Sequence, residues 1–272
     1  MDSRLRGNDG GNKEVRMKGD LFKGVVQWEM QDAKGFAGKL PVFYYDNTSM
    51  TVIYTASTKA VRKYLPHPDM HPVEFVPGRC LVGFSAFEYR KTDIDPYNEF
   101  SISILISFGS RPIPGMTVMA GMARKCFSAY VWHLPVTTER ARYGGVELYG
   151  YPKFIADIVF KRDGDHLECT LSEKGTKILT VRGRHRKTSQ GGLLRFRTYS
   201  LKDGVPLCAN IYTNPIEFSQ SMSGDAARLD IGVDHPIGRE LAGIGLGKKP
   251  IMFQYSPLNE MILFAPRNLI DD

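Results

Sequence analysis

The chain has 272 residues, 42% of them hydrophobic and 24% charged, with a formal net charge of +7. That length supports one large domain or two small ones with a sizeable core, and the balance is ordinary for a soluble globular protein. No run approaches the roughly 18 consecutive apolar residues that cross a membrane as a helix.

The basic excess is local. Residues 161–198 carry ten Lys/Arg against four Asp/Glu, and RGRHRK (182–187) is the densest run. No recognition motif accompanies it, so it reads as a solvated strand face rather than a nucleic-acid site. Cys80, Cys126, Cys169 and Cys208 are scattered without a C-x-x-C pair. This excludes the usual zinc and redox motifs and fits free thiols in a reducing cytoplasm.

The first 20 residues are polar and Gly-rich and lack the apolar centre of a signal peptide. Residues 1–16 are expected to be disordered, and Met17 offers an alternative start. KLPVFYYDNTSMTVIYTAS (39–57) reads as two extended runs around a DNTS turn. Ser57 or Thr58 then caps a short helix that Pro66 ends. HPDMHP (67–72) spaces His67 and His71 four apart, but a proline follows each, which favours an irregular loop over a metal-binding helix.

CLVGFSAFEYRK (80–91) is a strand. EFSISILISF (99–108) is the clearest strand, with Phe100, Ile102, Ile104, Ile106 and Phe108 on one face and Glu99 among serines on the other. Met116, Met119 and Met122 recur every three residues and are expected to pack in the core. TTERARYGG (137–145) suggests one or two helical turns closed by glycines.

From residue 154 onward, short strands alternate with DGD, EKGT, TSQGG and KDG turns. GIGLGKKP (243–250) lacks phosphate-loop spacing and reads as a turn before a final strand pair in IMFQYSPLNEMILFAP. Strands this closely spaced predict a mainly β (α+β) fold. We expect one domain over 17–272, an antiparallel sheet closed as a barrel or stacked as a sandwich, with short peripheral helices.

One stretch carries chemistry. ELYGYPKFIAD (147–157) sets Lys153 among Tyr149, Tyr151, Phe154 and Ile155, with Pro152 fixing the backbone before it. Either the lysine stem packs while its ammonium reaches water, or its amine is meant to lose a proton. At an ordinary pKa of about 10.4 only about one lysine in 2,500 is neutral at pH 7. A neutral amine adds to a ketone to form an imine, an electron sink for breaking a neighbouring C–C bond. Such a site needs an apolar pocket, a nearby carboxyl group as acid and base, and recognition of the substrate's carboxylate.

GGVELYGYPKF resembles the Schiff-base lysine motif of the acetoacetate decarboxylase family, in which a Glu-Leu pair precedes Tyr-Pro-Lys. DPYNEFSI (95–102) is similar to that family's active-site segment, with its catalytic glutamate at Glu99. TVIYTASTKAVRKYLPHP (51–68), SGDAARLDIGVDHP (223–236) and the C-terminal strands follow in the family's order. The resemblance runs from about residue 20 to the end.

It implies the family's barrel, with Lys153 forming the imine and Glu99 as acid and base. Tyr151 is implied as a pocket wall and Glu147 as a residue close to the site. It further implies a homo-oligomer acting without cofactor or metal on a small keto acid, most simply by β-keto acid decarboxylation. Neither nucleic acid nor membrane is an expected partner.

Two positions depart from the family. Phe154 stands where the decarboxylases carry a second lysine, and Asn47 where they carry an arginine. Both are still counted with the substrate-binding positions. Carboxylate recognition is then left to another cation, with Arg79, Arg90 and Arg124 as candidates. These changes resemble the divergent branch that keeps the lysine but runs aldol or dehydration chemistry on pyruvate-like acids. A barrel that binds a small ligand without catalysis is the further alternative.

Overall fold

The computed structural model describes residues 19–32 and 35–270. The disorder expected over residues 1–16, and Met17, lie outside these. After a short 3-10 turn (Asp20–Phe22), the described residues form a hairpin, β1 (Trp28–Gln31) and β2 (Ala37–Leu40), which among them is a two-stranded sheet of its own. β3 (Val42–Ser57) runs into α1 (Thr58–Arg62), where the Ser57 hydroxyl accepts from the Ala60 N–H, one of the two expected caps. The short strands β4 (Met70–Pro72) and β5 (Glu74–Val76) precede a long hairpin of β6 (Arg79–Thr92) and β7 (Tyr97–Phe108).

Next come α2 (Met116–Arg124), β8 (Cys126–His133) and α3 (Glu139–Tyr149). A meander of β9 (Asp157–Asp163), β10 (His166–Glu173) and β11 (Thr176–Arg184) leads to the hairpin of β12 (Leu194–Lys202) and β13 (Val205–Ser221). β14 (Ala227–Ile231), α4 (Pro236–Gly243), β15 (Met252–Leu263) and β16 (Arg267–Asn268) complete the described chain.

Seven strands close into a barrel in the order β7-β8-β12-β13-β15-β3-β6, with β6 pairing back to β7. The neighbours are antiparallel except β8 and β12, which run parallel. Closure leaves these strands without open edges. A second sheet, β14-β11-β10-β9, shares the main core with the barrel.

The alternation read in β7 is what fills that core. Phe100, Ile102, Ile104 and Ile106 are buried with Val52 and Phe84 of the barrel and Leu167, Leu171 and Leu179 of the second sheet. Each such side chain contributes about 1.5–3 kcal/mol on burial. The DGD, EKGT and KDG segments close the predicted turns, with Gly164, Gly175 and Gly204 at positive φ.

Four local expectations are corrected. The DNTS segment is no turn: β3 runs through it with register shifts around Asp46 and Asn47. The strand pair read in IMFQYSPLNEMILFAP is likewise one strand, β15, bulged with register shifts on either side of Asn259. The two irregularities face each other. Asn47 Nδ2 donates to the Asn259 carbonyl at 2.8 Å, and Asn259 Nδ2 donates to Asn47 Oδ1 at 3.2 Å. Polar residues at these irregularities are here satisfied between neighbouring strands.

The glycines of TTERARYGG do not close the helix, because α3 passes through Gly144 and Gly145 and ends at Gly150. Met116, Met119 and Met122 are 62%, 70% and 48% exposed, so their spacing marks the outer face of α2 while Val118 turns inward.

RGRHRK lies at the end of β11, where Arg182 and Arg184 pair with Glu168 and Asp165 on an exposed face. His67 stacks on Phe108, and His71 sits in β4. The four cysteines are free, and burial raises the Cys80 thiol to about 11 and pushes Cys169 up further. No helix among the described residues is long and apolar enough to cross a membrane.

Candidate active site

The site begins with the end of a helix. Gly150 ends α3 in the left-handed conformation, at φ 60°. The chain then folds back, and the Tyr151 N–H donates to the Gly145 carbonyl at 3.0 Å. Pro152 follows, with no N–H to satisfy.

The next residues run extended beside 134–136: the Leu134 N–H donates to Pro152 O and the Val136 N–H to Phe154 O. On its other side that segment meets β7, where the Phe100 N–H donates to Pro135 O. Three extended segments laid side by side therefore bring Lys153 to Glu99. Lys153 Nζ lies 2.7 Å from Glu99 Oε2, with side chains only 6% and 11% exposed.

Phenols surround the pair. Tyr89 donates to Glu99 Oε1 at 3.3 Å, and the Tyr97 ring lies 5.6 Å from Lys153 Nζ. The Tyr44 and Tyr97 hydroxyls are 3.4 Å apart, and the Tyr44 and Tyr97 rings both pack on Tyr89. Tyr151 stacks on Tyr149 with ring centres 5.3 Å apart, and its hydroxyl meets Thr198 Oγ1 at 2.6 Å. Burial, and after it the negative charge of Glu99, push the phenols of Tyr44, Tyr89 and Tyr97 well above their ordinary range. Burial does the same for Tyr149 and Tyr151. These hydroxyls stay protonated, and that of Tyr89 donates directly to Glu99.

A cavity of about 30 Å³ opens beside Lys153. That is room for about one water and well below the size of a usual small-molecule site. Its walls are mostly apolar, and its basic lining residues are Lys39, Lys153 and Arg140, the last paired with Asp95 at 3.0 Å. The β1–β2 hairpin roofs it through Met30, Phe36, Gly38, Lys39 and Leu40. Contacts among the described residues hold the roof on α3. Tyr143 donates to Asp32 Oδ2 at 2.5 Å, Arg140 Nη2 donates to the Ala37 carbonyl at 3.3 Å, and the Phe36 ring packs on Tyr143 with centres 5.1 Å apart.

Of the residues singled out in the sequence, the fold brings Lys153, Glu99 and Tyr151 together. It does not bring the other three to the cavity wall. Phe154 packs against the main core, and Asn47 is fully buried in its exchange with Asn259. Glu147 is half-buried on α3, its carbonyl accepting from Lys202 Nζ.

Arg79 is bound to the Gly245 carbonyl and to Thr55, and Arg90 pairs with Asp46. Neither these nor Arg124 lines the cavity; Arg140 and Lys39 do. Sequence reasoning missed both, because Arg140 sits in an ordinary charged helical turn and Lys39 in a hairpin that only the fold lays over Lys153. Among the described residues no group of three or more His, Cys, Asp or Glu side chains is placed to hold a metal ion.

The sequence pattern of the family described as acetoacetate decarboxylase (ADC) matches residues 31–236. This chain belongs to the acetoacetate decarboxylase family. The barrel is similar to that of a solved acetoacetate decarboxylase, 19% identical, with a TM-score of 0.60 over 84% of this chain and 89% of that one. The acetoacetate decarboxylase of Legionella pneumophila is 12% identical, with a TM-score of 0.60 over 84% and 87%. MppR, an enduracididine biosynthesis enzyme solved with pyruvate, is 12% identical, with a TM-score of 0.62 over 84% and 90%. At these identities the likeness is one of fold. No curated protein sequence matches. Within the family's barrel, the matched region contains both Lys153 and Glu99.

Proposed function

We propose that this chain is a cofactor-independent Schiff-base lyase that decarboxylates a small β-keto acid through an imine on Lys153. The observation that carries the reading is the buried 2.7 Å contact between Lys153 Nζ and Glu99 Oε2 beside an apolar cavity. A lysine amine and a carboxyl group in contact can exchange the proton that imine chemistry must move twice.

Glu99 takes a proton from the Lys153 ammonium. The neutral amine adds to the ketone carbon as the carbonyl π pair moves to oxygen. One proton passes from nitrogen to that oxygen. Glu99 returns the other, water leaves, and the C=N bond closes as a protonated imine. The C–C bond to the carboxylate then breaks, carbon dioxide departs, and its electron pair forms an enamine. Glu99, reprotonated from water, protonates the enamine carbon. Hydrolysis releases the ketone and restores Lys153. The net reaction consumes one proton and releases one carbon dioxide. The lining residue Lys39, a cation at the cavity wall, supports an anionic substrate.

A second reading keeps the imine and directs it to aldol or dehydration chemistry on a pyruvate-like acid. It is favoured by Phe154, which packs into the core where the decarboxylases carry a second cation, and by the likeness to a barrel solved with pyruvate.

Borohydride trapping with acetoacetate and with pyruvate, followed by peptide mass mapping, tests the imine. A reduced adduct on Lys153 is expected. Carbon dioxide release from acetoacetate supports decarboxylation, and labelling by pyruvate without that release supports the second reading. No Lys153 adduct with either ketone overturns both.

A further inference from the structure

Three phenols line the cavity: Tyr44, Tyr149 and Tyr151. Two of their hydroxyls are engaged, Tyr44 with Tyr97 and Tyr151 with Thr198. The third is not. The Tyr149 hydroxyl is buried with no hydrogen-bond partner, in a residue only 3% exposed.

Buried hydroxyls are ordinarily paired, and an unpaired one in a native fold calls for a reason. The ring itself is well fixed. It stacks on Tyr151 at an interplanar angle of 10°, and its backbone carbonyl accepts from Ser200 Oγ at 2.5 Å. Two other buried side-chain polar atoms among the described residues lack partners, Thr58 Oγ1 and Arg197 Nε, and neither residue lines this cavity.

A keto acid brings two kinds of oxygen into the cavity. Its carboxylate suits the cation Lys39. Its ketone oxygen needs a neutral donor that does not compete as a nucleophile. We infer that Tyr149 is a catalytic residue whose hydroxyl donates to the substrate's ketone oxygen while Lys153 adds to the carbonyl carbon. This rests on the imine reading given above.

As nitrogen bonds to carbon and the π pair moves to oxygen, the growing negative charge meets this donor. Burial raises the Tyr149 phenol, so the group keeps its proton throughout. The proton that oxygen gains comes from nitrogen, and the one that completes the departing water comes from Glu99.

Tyr149→Phe keeps the ring stack and removes only the hydroxyl. The thermal midpoint of the unliganded variant is expected to equal or exceed that of the wild type, because an unsatisfied buried group has been removed. The rate of borohydride-trapped adduct formation is expected to fall about 100-fold, the loss seen on removing one such donor. That loss should appear with acetone, which has no carboxylate, as well as with acetoacetate. In turnover the loss falls on kcat and not on KM. Tyr149→Leu, a second variant without the hydroxyl, should show the same loss should the Phe variant fold poorly.

A wild type that labels and a folded Tyr149→Phe that labels at the same rate overturn the role of Tyr149 alone. A loss confined to acetoacetate also overturns it, by moving the contact to the carboxylate. A wild type that labels with neither ketone overturns the imine reading and this role with it.

Discussion

A β-carbon on Gly145 would lie 2.3 Å from Cδ and 2.4 Å from Cε of Lys153. Helix and lysine stem share that space only because residue 145 has no side chain. The helix gives up stability for it, since a glycine in a helix interior costs about 1 kcal/mol relative to alanine. The next glycine toward the N-terminus serves the roof: a β-carbon on Gly144 would meet the Phe36 ring at 3.1 Å.

Gly145→Ala is therefore expected to displace Lys153 from Glu99 while leaving α3 intact. The trapping rate should drop at least about 10-fold, equivalent to about 1.4 kcal/mol in the barrier. Gly144→Ala pushes on a single ring edge and should cost less. Trapping kinetics and circular dichroism of the two variants check this. A Gly145→Ala protein with wild-type kinetics would contradict the steric account.

The Lys153–Glu99 pair is buried, so breaking it differs from replacing it. Glu99→Leu strands the amine, and a stability loss of about 3–5 kcal/mol is expected. The double variant Lys153→Met/Glu99→Leu removes both charges and should recover most of that loss, to within about 1 kcal/mol of wild type or beyond it. Urea denaturation of the three proteins measures this. A double variant as unstable as the single one would mean that the pair is not the source of the cost.

The cavity of about 30 Å³ holds no keto acid until the hairpin moves. Tyr143→Phe removes the bond to Asp32, which raises the Tyr143 hydroxyl to about 12 and keeps it a donor throughout the working pH range. The variant should let ketones in faster and raise the trapping rate by about 2- to 10-fold. Global stability should stay close to that of the wild type, because the bond lies outside the core. Stopped-time trapping at low ketone concentration distinguishes the variant, and an unchanged rate would show that this bond does not hold the roof.

His133 gives a pH prediction away from the chemistry. Burial lowers its pKa below 6.5, with the bond to Glu240 opposing the shift and His235 adding to it. The unfolded chain then binds a proton near pH 6.5 that the folded chain takes up only at lower pH. Stability contributed by the neutral ring is present above about pH 6.5 and is lost as pH falls through the folded pKa. Denaturation midpoints at pH 7.5 and pH 5.0 should converge in His133→Gln relative to wild type. An unaltered pH slope would exclude His133 as its source.

Much of the architecture was legible because its signals are local. The alternation of EFSISILISF, the Ser57 cap and the turns at Gly164, Gly175 and Gly204 each depend on a few neighbouring residues, and the fold contains these. The same locality produced the errors. Asp46 and Asn47 carry turn chemistry, yet Asp46 pairs with Arg90 and Asn47 bonds Asn259 of the neighbouring strand, 212 residues away. Met116, Met119 and Met122 show a helical spacing, but spacing does not say which face of α2 meets the protein.

The sequence by itself determined the family, the strand-rich plan, and the singling out of Lys153 and Glu99, since a motif survives in the order of residues. Only the tertiary structure decided what surrounds them. Glu99 comes within 2.7 Å of a lysine 54 residues away, a hairpin from before β3 becomes the roof, Gly145 makes room for a stem, and Tyr149 is left with a free hydroxyl. The physical reason is that steric room and hydrogen-bond satisfaction are properties of all the groups that meet in space, and those groups come from distant parts of the chain.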